Sequence, residues 1–228
     1  MEKKVKFNCI QSLKETGAPV IIVTLPEEAE AIANACRDND IVVTAYSDNE
    51  TRKLQKNYCG LEVIHTPTLP KRFPKARLII AYFNMQDCVD QLSALGYDEF
   101  YSPLELLKNY DLSKHKHHIS QSYMQNKISI CIKSHELYLN EAKTYMRSLD
   151  VMITTKCSMK CASCANLMQY YVAAKNTDHE ILSAIETLDN NVDAISEFRV
   201  IGGEPLMNKD WAHIVNGIIE QDVKRKIF

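Results

Sequence analysis

No stretch of the 228-residue chain approaches the roughly 18–20 consecutive apolar residues that a membrane-spanning helix needs, so no membrane span is expected. The stretch MEKKVKFNCIQS at the start is basic but has no apolar h-region. No signal peptide is read there, and a cytoplasmic location is the expectation. Charge of one sign is not in excess either. The net charge of −2 is too small to draw the chain to nucleic acid or to an anionic membrane, and no nucleic-acid partner is expected. Internal repeats and low-complexity tracts are missing. Eight cysteines are too few for a disulfide-dense scaffold of this length. What is present suits a folded chain: 46% hydrophobic and 25% charged residues exclude a mainly disordered one, and the length admits two modest domains.

Residues 1–110 alternate between strand and helix patterns. VIIVTL (20–25) is a short β-branched run of the kind buried on both faces of a sheet. EEAEAIANACRDN (27–39) follows with Ala29, Ile32, Ala33 and Cys36 on one helical stripe. IVVTAYS (41–47) reads as a second strand, and DNETRKLQKNY (48–58) as a helix capped by Asp48 or Asn49. LEVIH (61–65), a proline-rich loop (66–76), the strand ARLIIAYF (76–83), a helix ending at Gly96 and a last short strand EFYS (99–102) complete the pattern. Strands alternating with helices imply a parallel sheet. Residues 111–148 are polar, with His115, His117 and His118 close together and a helix expected around 120–147; they read as a helical linker. The three histidines are weighed as a metal site against a solvated linker. Residues 149–228 return to strand and helix: LDVMITT (149–155), a helix over 178–191 capped by Asp178, FRVIGG (198–203), and a helix over 211–221 with Trp211, Ile214, Val215 and Ile218 facing inward. KRK (224–226) reads as the exposed lead into a further strand.

The cysteines are unevenly spread. Cys9, Cys36, Cys59, Cys88 and Cys131 stand singly, as buried thiols of a reducing compartment do, whereas Cys157, Cys161 and Cys164 fall within eight residues. The cluster sits in KCSMKCASCA, in the loop after a predicted strand, where parallel folds place their active sites. Three thiolates on a short loop can wrap three corners of a cubane, leaving one metal position open to a ligand. A structural zinc site and a chance group of buried cysteines are the alternatives. Zinc normally takes four protein ligands, and no second Cys-x2-Cys pair is present.

ITTKCSMKCASCANLMQYY followed by FRVIGGEPLMNKD resembles the radical S-adenosylmethionine superfamily, in which a Cys-x3-Cys-x2-Cys loop after the first barrel strand is paired with a Gly-Gly-Glu-Pro motif after the second. The resemblance implies a 4Fe-4S cluster on Cys157, Cys161 and Cys164. It implies S-adenosyl-L-methionine bound through Gly202, Gly203, Glu204 and Pro205, and reductive cleavage of that cofactor to a 5′-deoxyadenosyl radical. Glycines there allow close backbone approach and a positive φ, Glu204 or nearby carbonyls can meet the cofactor's ammonium, and Pro205 stiffens the turn. A reductant such as flavodoxin or ferredoxin is the implied partner. The family's aromatic residue before the third cysteine is replaced by Ser163, and Tyr170 and Tyr171 are weighed as adenine neighbours against core or surface aromatics. The resemblance covers residues 149–228 and two strand–helix units where the family has about six, so the start of a truncated (β/α) barrel is expected. A non-catalytic module that keeps an iron–sulfur site is the other reading.

Residues 18–110 resemble, more weakly, the Rossmann-like domains found with sugar-modifying and polysaccharide-biosynthesis enzymes, on VIIVTL, IVVTAYSDN and ARLIIAYF ahead of QLSALGYDEFYSPLEL. A carbohydrate or other small-molecule substrate, from a cell-surface polymer pathway, follows from that likeness alone. Asp48 at a strand end suits a ribose hydroxyl. No Gly-x-Gly-x-x-Gly loop follows the first strand, and Glu27 and Glu28 stand where a pyrophosphate needs bare amides. A substrate-binding, partner-binding or structural role is therefore expected ahead of nucleotide binding.

Overall fold

The structure is a computed structural model that describes residues 5–6, 9–15, 17–50, 57–159, 161–172 and 177–220, with the side chains at 147 and 196 set aside. Most of the helix expected over 48–58, Lys160 and the KRK stretch lie outside the described residues. The chain divides into two compact units, Met1–Asn140 and Glu141–Phe228.

The first unit is an α/β domain around a six-stranded parallel sheet, consistent with a Rossmann-like fold. Its strands are β1 (Val5–Lys6), β2 (Val20–Val23), β3 (Val43–Asp48), β4 (Val63–His65), β5 (Arg77–Ile80) and β6 (Phe100–Tyr101), in the order β1-β6-β5-β2-β3-β4. Its helices are α1 (Ile10–Lys14), α2 (Ala29–Asp38), α3 (Leu69–Arg72), α4 (Met85–Ala94), α5 (Leu104–Lys108) and α6 (Gln121–Leu139). The unbroken apolar run of β2 follows from burial on both faces. Val20 and Ile22 join a core with residues of α1, α2, α5 and α6, while Ile21 and Val23 join one with α4. The helices after the adjacent strands β2 and β5 thus pack in different cores, so the topological switch point lies between these two strands.

Several sequence expectations are corrected. The proline-rich stretch carries a single turn at Thr66–Thr68 and the short helix α3, which Pro67 and Pro70 can start because a first turn needs no N–H from them. β1, α1 and α5 are too short to show a period. Asp48 ends β3, and the helix it is expected to cap lies mostly outside the described residues. The expected linker contains α6, whose Met124, Ile128 and Cys131 lie in the first unit's core. That helix was hard to read as a core element because its buried stripe also contains Ser134 and His135.

Among the described residues the second unit has two parallel strands, β7 (Tyr145–Met152) and β8 (Ala194–Ile201), paired along most of their length. It also has two helices, α7 (Asp178–Asp189) and α8 (Trp211–Glu220). Ile153, Ile181, Ile185, Ile195, Ile214 and Ile218 make its core. The cap of α7 is Thr177 and not Asp178. Thr177 Oγ1 accepts the Glu180 N–H, and the Glu180 carboxylate accepts the Thr177 N–H, a reciprocal capping box. Trp211, expected inside, is 42% exposed at the first position of α8.

Candidate functional site

The two sequence motifs meet at the carboxyl ends of β7 and β8. The strand ladder continues beyond β7 through Ile153 N–H to Ile201 O at 2.9 Å, Gly203 N–H to Thr154 O at 3.0 Å and Glu204 N–H to Lys156 O at 2.8 Å. These bonds fasten the Gly-Gly-Glu-Pro loop to the chain leading into Cys157. Both glycines are required by space. A Cβ on Gly202 would come within 2.6 Å of Thr154 O, and one on Gly203 within 2.5 Å of Lys156 O and 2.7 Å of Cys157 Cβ. The expectation of a positive φ fails here, since only Gly17, Gly60 and Gly96 among the described glycines adopt one. The Glu204 carboxylate accepts the Leu206 N–H at 3.3 Å, and Pro205 opens a single turn, Pro205–Met207.

Cys157 and Cys164 are half-buried, Cys161 is exposed, and none is in a disulfide. Cys164 Sγ accepts the Met168 N–H at 3.5 Å. That bond first, with further backbone N–H groups at Asn166 and Leu167, holds the Cys164 thiol below its ordinary pKa. The turn that aims these amides includes Leu167 at φ 52°. The scattered cysteines differ: burial pushes Cys9 and Cys88 up to about 12, and Cys36 and Cys131 are raised by burial as well. Cys59 is exposed but single, and its thiol is also raised, chiefly by desolvation. Among the described residues no group of three or more His, Cys, Asp or Glu side chains converges to hold a single metal ion. The donor chemistry nevertheless fits an iron–sulfur cluster. Three free thiols share one loop, one of them with its pKa lowered by backbone N–H groups, and a cubane takes each sulfur on a different iron. Tyr170 and Tyr171, the candidate adenine neighbours, are surface residues, and Tyr170 is 77% exposed.

The first unit uses its polar residues internally. The Asp48 carboxylate accepts the N–H of Leu25 and of Glu50, both at 2.8 Å, so it serves the backbone where a ribose contact was expected. Glu27 pairs with Lys127 at 3.2 Å. Glu28 is 4% exposed, and burial raises its pKa to about 7. Helix α6 covers the carboxyl ends of β5 and β6: Cys131 Sγ–H points to Ala81 O at 3.9 Å, and His135 bridges Tyr82 O at 3.1 Å and Ser102 Oγ at 3.0 Å. Burial lowers the His135 pKa to about 4. The neutral ring therefore donates from Nε2 to the Tyr82 carbonyl and accepts the Ser102 hydroxyl at Nδ1. The histidines of the expected linker are neither a metal group nor freely solvated. His115 meets Asp38 at 2.9 Å, His118 bonds the Glu30 carboxylate, and His117 meets the Tyr110 hydroxyl at 3.1 Å.

Sequence reasoning missed Asn208. Its side-chain amide donates to Ile153 O at 2.7 Å and its Oδ1 accepts the Asp210 N–H at 2.9 Å. Its position, three residues after Pro205 and just before a predicted helix, was the available signal. Comparison of the chain with protein-family models, with curated proteins and with solved structures finds no match in any of the three.

Proposed function

We propose that residues 149–228 are the cofactor-binding start of a radical S-adenosylmethionine enzyme, the first part of a (β/α) barrel. The observation that carries the reading is the joining of its two motifs: Gly203 lies against Cys157 with no room for a Cβ, and two backbone bonds run between the loops. A chance group of cysteines has no reason to be fastened to a Gly-Gly-Glu-Pro turn at the carboxyl ends of two parallel strands.

In this reading Cys157, Cys161 and Cys164 hold a 4Fe-4S cluster, with Cys164 held toward thiolate by backbone amides. When bound, the cluster supplies the electron that cleaves S-adenosylmethionine to methionine and an adenosyl radical. Gly202 and Gly203 let the second loop lie directly on the first, which puts backbone polar groups beside the cysteines with no side chain between. Glu204 and Pro205 shape the turn that would meet the cofactor's ammonium, the Glu204 carboxylate accepting the Leu206 N–H. A reductant such as flavodoxin or ferredoxin would be the electron donor, and a carbohydrate or other small molecule would be the substrate. The first unit acts as a substrate- or partner-binding module and not a nucleotide site, because its Asp48 carboxylate is engaged by backbone N–H groups and α6 lies over the ends of β5 and β6.

Anaerobic reconstitution with ferrous iron and sulfide tests this. The native chain is expected to retain a cluster and to release 5′-deoxyadenosine with dithionite and S-adenosylmethionine, while Cys161→Ala loses the iron. A native chain that retains no iron, or a Cys161→Ala chain that retains as much as native, sinks the reading. Iron without 5′-deoxyadenosine favours the non-catalytic module.

A further inference from the structure

Past Met152 the parallel ladder of the second unit slips, by one residue at Gly203 and by two at Glu204. Ile153 gives its N–H to Ile201 O. In a regular parallel ladder the Ile153 carbonyl would then take the N–H two residues further along the partner strand, that of Gly203. Gly203 N–H goes instead to Thr154 O at 3.0 Å, and Glu204 N–H to Lys156 O at 2.8 Å. The slip deprives Ile153, a residue only 2% exposed, of its ladder partner at the carbonyl. A buried carbonyl left unpaired is costly. Asn208 Nδ2 meets that carbonyl at 2.7 Å. The same side chain receives the Asp210 N–H on Oδ1, and the Asn208 backbone carbonyl receives the Trp211 N–H at 3.2 Å. One residue thus ties the end of β7 to the turn that begins α8, across the loop that contains Gly202–Pro205.

We propose that Asn208 is a positioning residue of the cofactor site, whose side-chain amide fixes the ladder slip that sets the cysteine loop against Gly202–Glu204. What the loops hold rests on the radical S-adenosylmethionine reading; the slip itself does not. Ladder irregularities of this kind re-aim the chain beside functional sites. Without the amide, the stranded Ile153 carbonyl competes for the Gly203 N–H. Answering it moves Cys157 relative to Gly203, where 2.7 Å to an added Cβ leaves no slack. The two functions of the side chain can be separated. Asn208→Asp and Asn208→Ser each keep an oxygen for the Asp210 N–H but offer no amide to Ile153, and the serine does so without added charge.

The full chain is compared in its native form and as these two variants. Amide hydrogen exchange is read on the unloaded protein, and retained iron and S-adenosylmethionine affinity after reconstitution with ferrous iron and sulfide. In both variants Gly203 and Glu204 amides exchange about tenfold faster, as the loss of one net hydrogen bond gives, while Ile214 and Ile218 in α8 exchange as in native protein. Iron is retained less well, and the iron-loaded chain binds S-adenosylmethionine about tenfold more weakly. Native exchange at Gly203 and Glu204 in both variants overturns the proposal. So does faster exchange throughout α7 and α8, which marks a general structural role, or faster loop exchange with native iron retention and native affinity. A native chain that takes up no iron sinks the cofactor reading alone, and the exchange data then decide whether Asn208 holds the slip.

Discussion

The two units are built from the same device, a parallel strand followed by a helix, yet they treat the carboxyl ends of their strands in opposite ways. In the first unit α6 covers the ends of β5 and β6, and the nearby groups Asp48, Cys131 and His135 point to backbone partners. In the second, the loops after β7 and β8 leave Met159, Leu167, Tyr170, Tyr171, Leu206 and Met207 exposed around half-exposed thiols. Polar groups that are consumed internally stabilise a scaffold. Thiols at a strand end that are neither buried nor in a disulfide are accessible to a ligand. The contrast teaches that a shared βα architecture does not settle where chemistry sits; what covers the strand ends does.

The largest effect expected to sharpen this contrast is a pair of opposed pH dependences in the first unit. Glu28 has its folded pKa raised from 4.5 to about 7, so the native state holds a proton the unfolded chain has released. Its contribution is full below pH 4.5 and is lost as pH rises to about 7. His135 has its folded pKa lowered from 6.5 to about 4, so its contribution is full above pH 6.5 and is lost as pH falls toward about 4. Each shift amounts to about 3 kcal/mol. The two slopes nearly cancel between pH 4.5 and 6.5 in the native chain. Glu28→Gln leaves stability rising with pH across that window, and His135→Gln leaves it falling; urea titrations at several pH values read both. Parallel curves for the three proteins break the picture of a sealed interior.

A smaller effect is expected in the second unit. Gly203→Ala places a Cβ against the Lys156 carbonyl and Cys157 Cβ. It destabilises that unit by about 2 kcal/mol and lowers retained iron after reconstitution, which thermal unfolding and an iron assay would show. Native iron retention would mean the cysteine loop does not depend on the glycine seat. The smallest is Thr177→Ala, which removes the capping box of α7 at about 1 kcal/mol. It is expected to leave iron retention as in native protein, because α7 closes the core and touches neither motif loop in the bonds described.

The α/β class, the strand at VIIV, the helices α2, α4, α7 and α8, and the cysteine loop after a strand were all legible in the residues. They were legible because hydrophobic period and close ligand spacing are local properties. Other features were not. α6 hides its core stripe behind Ser134, whose hydroxyl donates to Ile130 O one turn back, and His135, which becomes a suitable interior residue only when Tyr82 and Ser102 arrive from distant chain to bond it. Trp211 looked like a core residue by period, but as the first residue of its helix it has little packed around it. Asp48 looked like a ligand for ribose, and only the fold shows the Leu25 amide already there.

The residues by themselves determined which groups are available: three thiols within eight positions, two adjacent glycines before a glutamate and a proline, and strands separated by helices. Only the tertiary structure decided why those glycines are needed, which is contact with the cysteine loop and not a positive φ, and which carbonyl Asn208 must satisfy. The reason is range. Composition and spacing act over a few residues, whereas a steric limit of 2.5 Å or a stranded carbonyl exists only once segments about 50 residues apart are brought side by side.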